Sequence, residues 1–303
     1  MTTGRAWIPR FVLLALIWGS AFLLIKVGVG TVSPWWVAAG RIVIGASALL
    51  VALVVTGDRL PRGRVWGHLA VLGLLWNAAP FVLFSWAETH ITSVLAGLLN
   101  AATPLATVAA LALLMPSERQ GGARLAAVGL GFAGVVIILG PWRGVGQVDV
   151  AASAAAVVAT ICYGLGFAYQ RRFLIHRTES LVALTAGQLL CASAQAGLAA
   201  LVLVGMPRGA SGASMAAITG LGVLATGLAY VLNGQNIRAV GPTVASTVTY
   251  VTPLFSTVLG IVLLGERMTW NEPLGVVAVL AGVALTRGRP EPVSPEPSTS
   301  TGR

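Results

Sequence analysis

The chain has 303 residues, of which 56% are hydrophobic and only 9% are charged, and its formal net charge is +10. Ordinary soluble domains carry roughly 25% charged residues. A soluble globule of this length would have too few charged groups to cover so much apolar surface, so the composition indicates an integral membrane protein. The two cysteines, Cys162 and Cys191, lie in apolar stretches, which excludes a disulfide framework.

Ten apolar stretches follow one another along the chain, each near the roughly 20 residues that a membrane-spanning helix needs. They are 8–28, 33–56, 66–87, 92–115, 124–141, 149–170, 180–204, 214–236, 243–264 and 270–286. None shows the alternating pattern of an outer-membrane barrel strand. The expected fold class is therefore an all-α membrane protein with ten transmembrane helices.

The basic residues are divided unevenly between the two sets of linkers. With the N-terminus in the cytoplasm, fourteen arginines fall in cytoplasmic segments and only Arg143, Arg208 and Arg267 fall in external loops. This bias predicts a protein of the inner (plasma) membrane with both termini in the cytoplasm. Because the basic charge is dispersed over six cytoplasmic segments, a nucleic-acid partner is not expected. The expected partners are the lipid bilayer and a small-molecule substrate.

The two halves of the chain are related copies. Thr-Pro-Leu at 103–105 recurs at 252–254, an offset of 149 residues, and Ala-Ala-Gly-Arg at 38–41 is answered by Thr-Ala-Gly-Gln at 185–188, an offset of 147. Each copy holds five spans, and five is odd, so the second copy enters the membrane from the opposite side. The sequence thus predicts two inverted five-helix repeats, an arrangement typical of secondary transporters with a site near the midplane.

Three regions follow from this repeat. They are a first repeat at 1–145, a second repeat at 146–286, and a cytoplasmic tail at 287–303. The tail carries prolines, serines and threonines with almost no apolar residues, so it is expected to be disordered.

Short motifs in both copies carry a family resemblance. The first copy has Trp18-Gly19-Ser20-Ala21-Phe22, Lys26, Pro34, Arg41, Thr103-Pro104-Leu105, Glu118-Arg119, Gly129 and Gly134; the second has Thr252-Pro253-Leu254, Leu264-Gly265-Glu266-Arg267, Gly275 and Gly282. In this order and spacing they resemble the EamA-type repeats of the drug/metabolite transporter superfamily. The resemblance implies ten helices, cytoplasmic termini, and export or exchange of small metabolites. The second copy departs from it, with Tyr163 in place of the tryptophan and Gln188 in place of the arginine.

Arg41 is the most informative single residue. It lies about eight residues into the second span, roughly 12 Å from the external end at about 1.5 Å per residue. An unpaired arginine that faced lipid there would be costly, so its side chain is expected to face the bundle interior or a wet cavity. Two roles remain open: it attracts an anionic group such as a carboxylate, or it is a structural arginine that caps carbonyls or snorkels outward.

Other polar and aromatic residues within the spans complete the candidate substrate-binding set. They are Trp18, Ser20, Asn77, Asn100, Tyr163, Gln188, Asn233 and Tyr250. Each either packs or bonds between helices or faces substrate. Near the span ends, Lys26 is expected to snorkel, and Glu118 and Glu266 are expected to offset the positive N-termini of the fifth and tenth helices.

The motifs also limit the chemistry. No nucleotide-binding fingerprint or zinc-type spacing appears, so no cofactor, metal or catalytic residue is expected. The predicted function is a secondary transporter that moves a small metabolite by alternating access. The resemblance alone suggests an amino acid or derivative and export. The alternative is an intramembrane enzyme acting on a lipid-linked substrate, which a cluster of Glu88, Glu118 and His90 around a lateral opening would favour.

Overall fold

The structure, a computed structural model, describes residues 7–114, 122–140, 142, 149–174, 177, 179–245 and 248–286. Within these ranges every regular element is a helix, so the all-α prediction is confirmed for the described part of the chain. Two sequence features, Glu118 and the tail at 287–303, lie outside the described residues.

The helices follow the predicted spans closely. In order they are α1 (Trp7–Gly28), α2 (Pro34–Thr56), α3 (Val65–Gly73), α4 (Ala79–Ala87), α5 (Ser93–Asn100), α6 (Thr103–Leu114), α7 (Gly122–Leu139), α8 (Val150–Phe173), α9 (Leu181–Val204), α10 (Gly212–Gly222), α11 (Ala229–Ala245), α12 (Val248–Leu264) and α13 (Asn271–Thr286). Two π-helical turns, π1 (Leu74–Ala78) and π2 (Val223–Leu228), join α3 to α4 and α10 to α11.

Three spans differ from the sequence prediction, the ninth because its helix α12 begins at Val248 and not at the predicted residue 243. The fourth divides into α5 and α6 just before Pro104, because proline disfavours a helical residue ahead of it and removes a backbone donor. The eighth continues as α11 to Ala245, past its predicted end at residue 236.

Seven of the described helical segments are long and apolar enough to cross a membrane. They are Trp7–Gly28, Pro34–Thr56, Val65–Ala87, Ser93–Leu114, Val150–Phe173, Leu181–Val204 and Gly212–Asn236. Three shorter apolar helices, Val128–Leu139, Val248–Leu264 and Asn271–Gly282, coincide with the other three predicted spans. The multi-pass character is therefore confirmed, and the count of ten spans stays a prediction.

The outer surface of the bundle is apolar. Large exposed side chains include Val54 (82%), Val55 (80%), Leu113 (76%), Val202 (73%) and Val262 (71%). A soluble protein rarely exposes so many large apolar side chains to this extent, whereas a lipid bilayer covers them without cost. The surface composition thus agrees with the membrane class that the charge content predicts.

Glycines set the closest helix crossings, and the crossings repeat between the halves. A Cβ on Gly19 of α1 would lie 2.9 Å from the carbonyl oxygen of Thr252 in α12. A Cβ on Gly164 of α8 would lie 2.7 Å from the backbone nitrogen of Thr107 in α6. Small residues let membrane helices approach to backbone contact, and here the same crossing occurs at matching positions of both copies.

The bundle has two ends that its loop contacts define. At one, the Glu88 end, Ser211 N of the loop 205–211 donates to Thr31 Oγ1 of the loop 29–33 at 3.0 Å, and Lys26 and Glu266 contact Glu88 and Ser93, respectively. At the other, the Arg59 end, Gly57 to Arg62 lie beside Glu179 and Ser180. Every polar contact described below falls at one of these ends or between them.

Candidate functional site

Arg41 is buried between the two halves of the bundle. Its side chain on α2 is 7% exposed, and its Nε donates to Thr226 Oγ1 of π2 at 3.0 Å. The guanidinium carbon lies 3.7 Å from the centre of the Phe81 ring of α4. The arginine therefore faces the interior, as predicted, and does not snorkel outward.

The charge of Arg41 has no counter-ion in contact. Among the described residues no carboxylate forms an ion pair with it, and Glu88 acts on it electrostatically without a hydrogen bond. A buried guanidinium prefers a bidentate anionic partner such as a carboxylate. The centre of the bundle is thus suited to an anion that arrives from outside the protein.

A chain of three polar side chains lies beside this arginine. Gln188 Nε2 of α9 donates to Asn77 Oδ1 of π1 at 2.6 Å, and Asn77 Nδ2 donates to Tyr230 Oη of α11 at 2.9 Å. Asn77 is 0% exposed and Gln188 is 3% exposed. The chain joins the first half, which supplies Asn77, to the second half, which supplies the other two.

The two sets of contacts are copies of one another. Arg41 and Gln188 are 147 residues apart, and Asn77 and Thr226 are 149 apart, which are the two offsets of the sequence repeat. In each copy, a polar residue of the second span therefore bonds to the π-helical turn in the third span of the opposite copy. Because the second copy has Gln188 where the first copy has Arg41, only the first copy contributes a guanidinium group. The site is therefore asymmetric in charge.

The π-helical turns explain how these bonds form. In π2, Thr226 Oγ1 also donates to the carbonyl of Leu221, five residues earlier, a spacing that fits the wider turn. Such turns are rare and frequently occur at functional sites. The glycine before each turn permits the approach: a Cβ on Gly73 would lie 2.8 Å from the Gln188 carbonyl oxygen, and one on Gly222 would lie 3.1 Å from that of Arg41.

The other predicted site residues fall into two groups. Tyr163 stacks on Phe84 with ring centres 6.0 Å apart, and Trp18 and Tyr250 pack half-buried against the same apolar cluster. Two residues bond locally instead: Ser20 Oγ donates to the carbonyl of Ile17, and Asn100 Oδ1 accepts from Thr103 Oγ1 at the break between α5 and α6.

Asn233 is half-buried on α11 and hydrogen-bonds to no described residue. Of the nine predicted residues, the structure thus groups Arg41, Asn77, Gln188 and Tyr163 in one region. Ser20 and Asn100 serve their own helices.

A cavity of about 170 Å³ leads toward this region from the Arg59 end. It is lined by Leu49, Thr56, Leu181, Val182, Thr185, Tyr230, Val231, Gly234 and Gln235. Thr56 and Leu181 adjoin the loops of the Arg59 end, whereas Tyr230 belongs to the polar chain of Asn77 and Gln188. The cavity therefore extends from the Arg59 end as far as Tyr230, which bonds to Asn77.

Polar contacts close the Glu88 end. Lys26 Nζ donates to the carbonyls of Glu88 at 2.6 Å and Ile91 at 2.8 Å. Lys26, which is expected from the sequence to snorkel, thus reaches toward the span end and bonds to carbonyls of the loop that follows α4.

Glu266 acts at a helix N-terminus, but at a different helix from the one predicted. Its carboxylate accepts from the Ser93 nitrogen, the Ser93 hydroxyl and the Val94 nitrogen, each at 2.9 Å, at the start of α5. A carboxylate there satisfies orphan donors and opposes the helix dipole. The positive φ of Gly265 (66°) turns the chain at the end of α12, and Glu272 takes the capping role at α13 by accepting from the Thr269 nitrogen at 2.9 Å.

Three residues of the site were absent from the sequence prediction: Thr226, Tyr230 and Phe81. Thr226 carried a usable signal, because it is the repeat mate of Asn77. Tyr230 and Phe81 carried none, since an aromatic residue in an apolar span has no sequence feature that distinguishes the site from the core.

The cluster that would favour an enzyme does not form from the residues described. Glu88 is 0% exposed, whereas His90 is exposed and its Nδ1 lies 2.7 Å from Thr89 Oγ1. The third member, Glu118, lies outside the described residues.

A family model and a solved structure both match nearly the whole chain. The family model described as the EamA-like transporter family matches it twice, over residues 5–140 and 151–288. A solved crystal structure superposes with a TM-score of 0.63 at 22% identity, covering 93% of this chain and 96% of the other, which shows a shared fold.

Curated relatives match over nearly their full length. The "Probable terminal-alkyne amino-acid exporter" of Streptantibioticus cattleyicolor is 28% identical over 92% of each chain. The "Uncharacterized inner membrane transporter YedA" of Escherichia coli K12 is 26% identical over 91% of this chain and 89% of its own, and the "Uncharacterized transporter YdfC" of Bacillus subtilis is 27% identical over 89% and 87%. These proteins are named as transporters and not as enzymes, and the chain, which is matched by the family model over both halves, belongs to the EamA-like transporter family.

Proposed function

We propose that this transporter is a secondary carrier that exports a small carboxylate-bearing metabolite, of the amino-acid class, across the inner membrane by alternating access. The substrate enters from the cytoplasm at the Arg59 end, binds with its carboxylate on Arg41, and leaves at the Glu88 end. The positive-inside bias supports this orientation, which puts both termini in the cytoplasm.

One observation carries the proposal: the buried guanidinium of Arg41 has no described carboxylate in contact with it. A charged side chain at this depth is functional by default. A substrate carboxylate would satisfy the guanidinium, with the Phe81 ring below it and the phenols of Tyr163 and Tyr230 within electrostatic range. Trp18 and Tyr250, which pack on the same apolar cluster as Tyr163, are the proposed apolar wall.

Size and relationship support the substrate class. The cavity of about 170 Å³ is smaller than the roughly 300 Å³ at which drug-sized sites begin, which favours a small metabolite. The relative named for terminal-alkyne amino-acid export supports an amino acid or derivative.

The repeated contacts support the mechanism. Ten spans in two inverted repeats, 1–145 and 146–286, would exchange equivalent environments as the carrier opens to one side and then the other. The paired bonds of Arg41 to Thr226 and Gln188 to Asn77 join these halves at matching places. We expect the two halves to move relative to each other about these contacts.

The experiment begins with metabolite profiling of cells with and without the protein, followed by efflux of the identified amino acid from proteoliposomes. Arg41→Ala should abolish efflux while insertion and folding are retained, because losing one partner of a buried charge pair costs about 2–5 kcal/mol, or roughly 30-fold and more in binding. Arg41→Lys should retain part of it, since lysine keeps the charge and loses the fork geometry. Arg208→Ala, in an exposed loop, is the control and should transport normally. Normal efflux by the Arg41→Ala protein would overturn the carboxylate site.

A further inference from the structure

Glu88 presents a buried carboxyl group that no contact in the fold explains. It follows directly after α4, outside the span Val65–Ala87, and its side chain is 0% exposed. Neither carboxyl oxygen has a hydrogen-bond partner among the residues that the structure describes. Buried polar groups in proteins are almost always hydrogen-bonded, so this one requires a reason.

Among the described residues, the charged and titratable groups near Glu88 make no hydrogen bond to its carboxyl group. Lys26 of α1 directs its ammonium group to the main-chain carbonyls of Glu88 and Ile91. The carboxylate of Glu266, in the loop after α12, accepts hydrogen bonds from backbone nitrogens at the start of α5.

The remaining two groups lie toward the centre of the bundle. Arg41 of α2 acts on Glu88 as a charge without a hydrogen bond, and the phenol of Tyr163 on α8 stacks on Phe84 of α4. None of these four groups bonds to the Glu88 carboxyl.

An ionised carboxylate is strongly disfavoured in such a place. Burial without hydrogen bonds costs a charge several kcal/mol in real proteins, and the group normally takes up a proton instead. Burial accordingly raises the pKa of Glu88 well above its ordinary range, more than the nearby Lys26 lowers it. With the Glu88 end closed, burial therefore favours the neutral acid over the carboxylate.

We propose that Glu88 is a proton-binding site whose occupancy follows the opening and closing of the Glu88 end. On closure the carboxylate takes one proton from water on that side and becomes a carboxylic acid. On opening the acid meets water and returns the proton to the same side. The inference rests on the alternating access of the proposed function. It adds that the opening of the Glu88 end depends on the pH on that side of the membrane.

The direction of the dependence follows from linkage. The closed state holds Glu88 with the higher pKa, so it binds up to one more proton than the open state. Below the ordinary carboxyl range of about 4 both states are protonated, and the balance between them does not change with pH. Above it, the ratio of open to closed molecules rises by up to about tenfold per pH unit until the closed-state group also ionises. Acid outside the cell therefore favours the closed Glu88 end.

The test measures accessibility and needs no substrate. In a protein whose native cysteines are replaced (Cys162→Ala, Cys191→Ala), the fully buried Val94 of the Glu88 end becomes the reporter as Val94→Cys. A water-soluble maleimide labels it at a series of pH values between about pH 5 and pH 8, above the ordinary carboxyl range. Its rate is divided by that of Met206→Cys, a 73% exposed position on the same end, which corrects for the general pH dependence of thiol labelling; the neutral Glu88 variants control for the reporter thiol itself.

The expected result is a ratio that rises with pH by up to about tenfold per unit. Glu88→Gln, a neutral mimic of the acid form, should keep the ratio low and flat. Glu88→Met is a second neutral variant should the amide fold poorly. Glu179→Gln, which removes a carboxyl beside Arg177 at the other end, should retain the wild-type slope.

A flat ratio in the protein with Glu88, or an unchanged slope in both neutral variants, overturns the proposal. Such a failure leaves the Arg41 efflux test untouched. Conversely, normal efflux by Arg41→Ala would leave this titration standing.

Discussion

Gly222 offers a direct test of the contact between the two halves. It ends α10 just before π2, where the backbone passes closest to α2. A Cβ placed on it would lie 2.5 Å from the Cβ of Ile44 and 3.1 Å from the carbonyl oxygen of Arg41. Ordinary carbon contacts are about 3.5–4.0 Å. Because both obstacles are at or next to the backbone of α2, Gly222→Ala has to push the two helices apart.

The size of the effect follows from two opposing terms. Forcing an extra methyl into a tight contact costs about 1–3 kcal/mol, and alanine gains about 1 kcal/mol over glycine in a helix. The matched control is Gly220→Ala on the same helix, where the nearest atom, Leu24 Cδ1, is 3.4 Å away on a flexible side chain. The control keeps the helix gain without the clash. The two variants should therefore differ by about 1–3 kcal/mol in free energy of unfolding.

The assay is thermal unfolding of both variants and the wild type in the same detergent. Gly222→Ala should unfold at the lowest temperature and Gly220→Ala at or above the wild type. Displacing Arg41 from Thr226 should also weaken substrate binding in the first variant alone. A Gly222→Ala protein as stable as Gly220→Ala would refute the close crossing and, with it, the geometry of the central site.

Two further predictions concern polar contacts between the halves. In a double-mutant cycle with Asn77→Ala and Gln188→Ala, the coupling energy should be about 0.6–1.7 kcal/mol, as for other hydrogen bonds between membrane helices; a coupling of zero in detergent unfolding would argue against the bond. Glu266→Gln should lower the free energy of unfolding by about 1–3 kcal/mol, because charged hydrogen bonds to the start of α5 are weakened. Glu179→Gln, which removes a partly exposed ion pair, should change it by less than about 1 kcal/mol, and equal losses in the two variants would contradict the capping role.

Sequence reasoning was sound wherever composition and periodicity decide the structure. An apolar run has to be a helix in a bilayer, because no water is present to satisfy an exposed backbone. For this reason the ends of α1, α2 and α9 fall within one or two residues of their predicted positions. The internal repeat also identified Arg41 and Gln188 as equivalent positions, because the spacing between the two copies can be read from the sequence without knowledge of the fold.

The same reasoning could not separate the site residues from their neighbours. A span apolar on every side has no polar face, so sequence does not indicate which way a single asparagine points. Asn77 joins a chain of hydrogen bonds between the halves, whereas Asn100 bonds at a break in its own span. Their sequence contexts differ little, and only helix packing distinguishes them.

By itself, then, the sequence determined the membrane class, the approximate spans, the internal repeat and the family. Tertiary structure alone decided that Arg41 meets Thr226, 185 residues away, that Lys26 bonds to the carbonyls of Glu88 and Ile91, and that the buried Glu88 carboxyl has no hydrogen-bond partner among the described residues. The physical reason is that insertion responds to the hydrophobicity of each segment one at a time. Partners, burial and protonation depend on which helices lie side by side, and close packing of small residues sets that arrangement.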